Sequence, residues 1–280
     1  MIPGDTSAAD ARDAPAIPGR NEGSEPYVLI EASGGVATLT LNRGERYNAL
    51  SRAMIGALHS ELDRIATDAS IRSVVLAARG KGFCAGHDLK ELRAHDDIEW
   101  QRALFGACND MMIALTRLPQ PVIARVHGLA TAAGCQLVSM CDLAVAADSA
   151  RFALPGVDVG VFCTTPAVGV ARNVARKRVM EMLITGAPID AATALDWGLV
   201  NRVVPLPDLD LAIAEFTHAV GTRSAEVIAG GKRAFYRQVD LGLAPAYDFA
   251  GQRMAESLLA PEAKEGIDAF VGKRPPRWER

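Results

Sequence analysis

No two cysteines in the sequence are spaced as C-x-x-C, and the five present, Cys84, Cys108, Cys135, Cys141 and Cys163, are odd in number and mostly embedded in apolar runs. This pattern excludes a disulfide framework and a thiolate zinc site, and reads as reduced thiols. A basic excess is also missing: 30 Lys and Arg face 33 Asp and Glu, for a formal net charge of −3. Binding to a phosphate backbone depends on clustered cations, so nucleic acid is excluded as a main partner and any anionic ligand has to be met by local basic residues. Long uninterrupted apolar stretches are absent too. The most apolar one, from about Leu129 to Ala147, is broken by Gly134, Gln136 and Asp142, which bars it from spanning a bilayer, so a soluble protein without a membrane partner is expected. Metal-ligand spacing is found nowhere, and no segment repeats at a fixed period.

The first 26 residues are rich in Ala, Pro, Gly, Ser and Asp without apolar periodicity, the composition of a disordered tail. They contain no hydrophobic signal core. Asp5, Asp10, Asp13, Glu22 and Glu25 outnumber Arg12 and Arg20, unlike a basic transit peptide, and the expectation is a cytoplasmic protein.

With 280 residues, 49% of them hydrophobic, the chain is long and apolar enough to bury a substantial core. Two β-prone runs, Tyr27 to Ala32 and Val36 to Asn42, flank Ser33-Gly34-Gly35 and read as a hairpin. Met54, Leu58, Leu62 and Ile65 recur at helical spacing after Ser51, and the apolar run Ser73 to Ala78 then reads as a buried strand. A helix from about Asp97 to Arg117, a strand at Pro121 to Val126, a short helix after Thr131 and a strand at Asp142 to Ala147 continue the alternation, which points to an α/β layered fold. Beyond Thr165 the pattern is almost entirely helical, with one β run at Leu199 to Val204. Candidate helices there are Ala212 to Val220, Ser224 to Val239, Ala246 to Leu259 and Pro261 to Val271.

Two glycine-containing segments each follow a buried strand and precede a helix: Gly82-Phe83-Cys84-Ala85-Gly86-His87-Asp88-Leu89-Lys90, and His127-Gly128-Leu129-Ala130-Thr131-Ala132-Ala133-Gly134-Cys135-Gln136-Leu137. Small residues at such junctions let a ligand approach the backbone, and the free N–H groups at a helix start are donors aligned with the macrodipole. Brought together, two such loops would form an oxyanion hole.

Leu41-Asn42-Arg43 with Asn48-Ala49-Leu50, the F-x-A-G-x-D-L-K segment, the G-x-A-x-x-x-G-C-x-L segment followed by Cys141-Asp142, and the C-terminal Ala269-Phe270-Val271-x-Lys273-Arg274 resemble, in order and spacing, the crotonase (enoyl-CoA hydratase/isomerase) superfamily. The similarity runs from about Tyr27 to Arg274. It implies a crotonase-like spiral of ββα turns over residues 27–205 carrying an acyl-CoA site, and a helical C-terminal oligomerisation module over residues 206–280 that builds a homotrimer or a dimer of trimers. It also implies that the backbone N–H groups of His87 and Ala133 receive the thioester carbonyl oxygen. CoA would enter as part of the substrate, with no separate cofactor, near Ala85 and near Arg46, Lys90 and Lys273, whose charges suit its phosphates. Trp100, Phe105, Met111, Met112 and Phe162 are the expected source of apolar contacts to the acyl group.

One departure limits the functional expectation. Hydratases of this superfamily manage water with two glutamates, and at the matching positions this sequence has Gln136 and Gly156. A carboxamide can orient a water but cannot take its proton, and glycine offers no side chain. Asp158 is a possible substitute acid, with a cap or turn role as the alternative. Cys163 and His127 read as structural, and Asp88 as the brace of its turn. The open readings are an acyl-CoA enzyme, hydratase/isomerase-like or catalysing another enolate or thioester reaction, and a non-catalytic acyl-CoA-binding protein.

Overall fold

Residues 25–278 are described by the structure, a computed structural model; the expected disordered tail, save its last two positions, lies outside the described residues. The chain enters on the hairpin: β1 (Val28–Ser33) pairs antiparallel with β2 (Val36–Leu41), and Ser33 stands opposite Val36, so Gly34 and Gly35 alone make the turn. Their φ values of 58° and 81° are those a two-residue primed turn requires. Helix α1 (Arg52–Ala66) begins where the Ser51 hydroxyl accepts from the Met54 N–H. Its stripe of Met54, Ile55, Leu58, Leu62 and Ile65 is buried, each side chain contributing about 1.5–3 kcal/mol by leaving water.

The chain then repeats one motif. Strand β3 (Ser73–Ala78) leads to β4 (Gly82–Cys84) and to helices α2 (Leu89–Ala94) and α3 (Ile98–Arg117). Next, β5 (Val122–Val126) leads to β6 (Leu129–Thr131) and α4 (Ala133–Met140). The third turn is β7 (Leu143–Ala147), β8 (Arg151–Ala153), a 3-10 turn at Pro155–Val159, α5 (Thr164–Val170) and α6 (Arg176–Thr185). After β9 (Ile189–Asp190), α7 (Ala191–Asp196) and β10 (Arg202–Val204) come the helices α8 (Leu209–Gly221), α9 (Ala225–Gln238), α10 (Leu243–Leu258) and α11 (Pro261–Val271).

Each turn sends its longer strand to a six-stranded sheet, β1-β2-β3-β5-β7-β10, and its shorter one to a second sheet, β4-β6-β8-β9. This is the spiral of ββα turns that the resemblance implies. The repetition is invisible as a sequence period because successive turns, starting at Ser73, Val122 and Leu143, differ in length. Within the large sheet β2, β3, β5, β7 and β10 run parallel, and β3 and β5, covered on both faces, are near-continuous apolar runs. Helix α8 covers one face, setting Leu209, Ala212 and Ile213 against Val75, Ile123 and Val145. The second sheet and β9 were not legible beforehand: strands of two or three residues carry no periodic signal.

Helix α9 is tied down by one buried cation. Lys232 Nζ donates to Leu115 O (2.8 Å), Gln120 O (3.0 Å) and Asp142 Oδ2 (2.6 Å), and Asp142 also accepts from the Val122 N–H (2.7 Å) and the Tyr236 hydroxyl (3.0 Å). Burial, partly offset by Asp142, holds the Lys232 ammonium below its ordinary pKa. Beyond it, α10, α11 and the segments between and after them carry Leu243, Tyr247, Leu259, Phe270 and Val271, all 73–87% exposed.

Candidate functional site

The first loop continues from β4. Gly86 has φ 87°, and the Asp88 carboxylate accepts from the Lys90 and Glu91 N–H groups (2.9 and 3.2 Å), capping α2 and fixing the turn. The segment Asn42 to Leu50 pairs with this loop: Leu50 N–H donates to Gly86 O (2.7 Å) and Asp88 N–H to Leu50 O (3.4 Å). Alternate residues of an extended strand point their N–H groups to opposite sides, so the His87 N–H faces away from Leu50, and no acceptor among the described residues takes it.

The second loop runs from β6 into α4. Ala132 sits at φ 49°, ψ −121°, outside the regions alanine favours and held there at a cost of about 1–3 kcal/mol. Its N–H donates to Ala153 O (2.9 Å) and its carbonyl accepts from the Gln136 N–H (3.0 Å). Ala133 is the first residue of α4, so its N–H lies outside the intrahelical ladder, at the positive end of the helix.

Glycines bring the loops into contact. A Cβ at Gly134 would lie 2.0 Å from Cys84 O, and one at Gly86 would lie 2.9 Å from Ala132 Cβ and 3.1 Å from Ala133 N. The Thr131 hydroxyl fastens the approach by donating to Ala85 O (3.1 Å). The N–H groups of His87 and Ala133 thus end on adjoining turns, an arrangement able to stabilise a developing oxyanion. Asn48 holds the frame: its Oδ1 accepts from the Arg43 N–H (2.9 Å), and its Nδ2 donates to Arg79 O, Gly82 O and Phe83 O (2.8, 3.1 and 3.1 Å). Thr131 and Asn48 were missed as positioning residues. The motif placed Asn48 in the right loop, but nothing local says that one carboxamide ties three segments together.

Gln136 is buried in α4, and Gly156 is buried in the 3-10 turn. Where a side chain at Gly156 would go, Cys163 is already packed: a Cβ there would meet Val161 O at 2.8 Å, Cys163 Sγ at 2.9 Å and Cys163 N at 3.0 Å. Asp158 is exposed, and its Oδ1 would lie 3.1 Å from a Cβ at Gly186, just after α6. His127 Nε2 is 2.9 Å from Gly80 O, and desolvation lowers its pKa. The His87 ring, pushed down to about pKa 4 by burial, stands edge-on to Phe105 with centroids 4.9 Å apart. All five cysteines are free and buried.

Among the other expected contacts, Arg46 joins Arg43, Ser51, Asp88 and Glu91 around a cleft of about 270 Å³ that borders the first loop. Lys90 is exposed in the first turn of α2 and Ala85 is half-buried beside Tyr47, whose carbonyl takes its N–H (2.9 Å). Lys273 follows α11, which packs on α10, so within one chain it belongs to the outer helical layer. Trp100 stacks on His95 (centroids 3.8 Å apart), Met111 and Met112 lie in the core, and Phe162 is exposed.

A family model described as enoyl-CoA hydratase/isomerase matches residues 31–280. The rat protein named enoyl-CoA hydratase domain-containing protein 3, mitochondrial, is 41% identical over 256 residues, 91% of this chain and 85% of its own length. A crystal structure of enoyl-CoA hydratase from Mycobacterium smegmatis superposes with a TM-score of 0.89 at 52% identity, covering 91% of this chain and 99% of that one. The human enoyl-CoA hydratase domain-containing protein 3 gives a TM-score of 0.88 at 40% identity, covering 90% and 100%. These relatives correct the cytoplasmic expectation, since the rat, mouse, Xenopus laevis and human proteins are all named mitochondrial. A charge tally over 26 residues is too weak a physical signal of compartment to stand against them.

Proposed function

The chain belongs to the enoyl-CoA hydratase/isomerase family of the crotonase superfamily, and from that premise we propose that it holds an acyl-CoA with the thioester carbonyl oxygen between the N–H groups of His87 and Ala133. The observation that carries this reading is the contact of the two loops, which leaves both donors unspent on adjoining turns. Donors fixed before the ligand arrives need no reorganisation, so they polarise the carbonyl and favour an enolate-like charge distribution. The cleft beside Arg46 and the exposed Lys90 accommodate the CoA phosphates. Ala85 lines the same approach, and Lys273 reaches the nucleotide from the outer helical layer.

Proton transfer is where the site departs from a hydratase. Gln136 and Gly156 supply neither base nor acid, and Asp158 is turned to Gly186 and solvent. The reading is therefore an acyl-CoA-binding protein with ordinary hydratase and isomerase turnover suppressed. The exposed apolar residues of the C-terminal helices support association between copies, and the family resemblance supplies the stoichiometry of a homotrimer or a dimer of trimers, which sedimentation checks: a 29.7 kDa monomer at micromolar concentration contradicts it.

Thermal unfolding with a panel of short, medium and long acyl-CoAs tests the binding claim. A ligand at about 100 times its Kd adds about 2.7 kcal/mol to the folded state, a readily measured rise in Tm. No shift with any member at millimolar concentration overturns the proposal.

A further inference from the structure

Four residues other than glycine have positive φ among the described residues: Tyr47, Asn48, Ala132 and Lys273. Tyr47, at φ 51° and ψ 32°, lies in the left-handed helical region that L-residues visit. Ala132, at φ 49° and ψ −121°, lies instead in the mirror image of the extended region, where a Cβ is crowded and glycine alone is at ease. The sequence thus puts alanine where the backbone asks for glycine, immediately before the Ala133 N–H.

The conformation is over-determined by its surroundings. The Ala132 N–H donates to Ala153 O (2.9 Å), its carbonyl accepts from the Gln136 N–H (3.0 Å), and the preceding Thr131 hydroxyl donates to Ala85 O (3.1 Å). The half-buried methyl adds a further constraint. A Cβ at Gly86 would lie 2.9 Å from Ala132 Cβ and 3.1 Å from Ala133 N, so the methyl and the Ala133 N–H both stand against the residue that precedes His87. Rotation about the Cα–C bond of Ala132 turns the rigid peptide plane that carries the Ala133 N–H. That torsion therefore aims one donor, and the methyl sets its distance from the loop that bears the other.

We propose that Ala132 is a positioning residue, whose methyl, wedged between the two loops, fixes the separation and aim of the His87 and Ala133 N–H groups at a cost in folding stability. The inference rests on the thioester carbonyl oxygen lying between those donors. Glycine would adopt the same torsions without strain but would reach many others too, so the donors would have to be ordered when the ligand arrives, and that ordering weakens binding. An alanine kept for packing alone sets up no such opposition: relieving its strain raises stability and leaves recognition of a single oxygen atom unchanged.

Ala132→Gly separates the two cases, read on the full chain by thermal unfolding and by titration calorimetry with butanoyl-CoA and S-butyl-CoA, a thioether that lacks only the carbonyl oxygen. In the parent the thioester should bind about tenfold or more tighter than the thioether, the worth of two hydrogen bonds. The variant should melt about 2 °C or more above the parent, while its preference for the thioester falls to about threefold or less. A melting temperature at or below that of the parent, or a preference that stays at the parent value, overturns the inference while leaving thioester binding intact. A parent that binds both ligands equally well overturns the carbonyl cradle and this inference with it.

Discussion

Replacing Gly156 with alanine adds a single carbon, and its surroundings fix the cost. The new Cβ would lie 2.8 Å from Val161 O, 2.9 Å from Cys163 Sγ and 3.0 Å from Cys163 N, against ordinary contacts of 3.4–4 Å. Two of these atoms are backbone, in the turn that leads into α5, and the same turn is held by the Val161 N–H donating to Gly156 O (3.0 Å). Relief therefore requires the turn to move; rotating a side chain is not enough. Overpacking of this kind costs about 1–3 kcal/mol, and glutamate, which must also find room for its carboxylate, should reach or pass the upper end. Urea unfolding measures it as a lower midpoint at unchanged slope. Adding Cys163→Ala to Gly156→Ala removes the sulfur but neither backbone contact, so less than half the loss should return. An unchanged midpoint for Gly156→Ala, or a Gly156→Glu protein as stable as the parent, would show that the turn yields freely. The second glutamate position would then be open, and the steric part of the argument against hydratase chemistry would fail.

Crotonyl-CoA hydration by the unmodified protein should run more than about 10³-fold below efficient enzymes, and Gln136→Glu should raise it; turnover of about 10–10³ per second in the parent refutes the reading of Gln136 and Gly156. Stability should fall as pH drops from about 6.5 to 4, because the His87 pKa is about 4 when folded and 6.5 ordinarily, so only the unfolded chain holds its proton in that window. At about 1.4 kcal/mol per pH unit the loss is on the order of 3 kcal/mol, with His127 adding in the same direction; a His87→Phe protein with an equally steep profile contradicts this. Lys232→Met should cost about 3–5 kcal/mol by stranding Asp142 and two carbonyls, and a loss under about 1 kcal/mol in chemical denaturation would show that the buried cation holds little.

The sequence was most legible where local physics decides. Gly34-Gly35 and the stripe from Met54 to Ile65 each follow from turn chemistry or helical spacing, and the structure has them. The two glycine loops were legible as loops, and motif order supplied their pairing. Long-range packing was not readable. That Gly134 lies against Cys84 and that Lys232 reaches back to Asp142 are contacts between residues far apart in the chain. No window of sequence encodes them, because each depends on where the spiral returns. The short second-sheet strands failed for the opposite reason, being too brief to show alternation.

Because the thiolate is the reacting form of cysteine, the enclosure of all five thiols turns them into clocks for the opening of the molecule. Burial drives Cys84, Cys108 and Cys135 up to about pKa 12, so an alkylating reagent finds almost no target until the surrounding layer opens, and the labelling rate reports how often it does. Cys84 and Cys135 lie behind the two touching loops, whereas Cys108 lies within α3. Occupancy of the loops by an acyl-CoA would slow the first pair more than Cys108, so the protein carries, in residues with no part in its chemistry, a position-resolved readout of ligand binding.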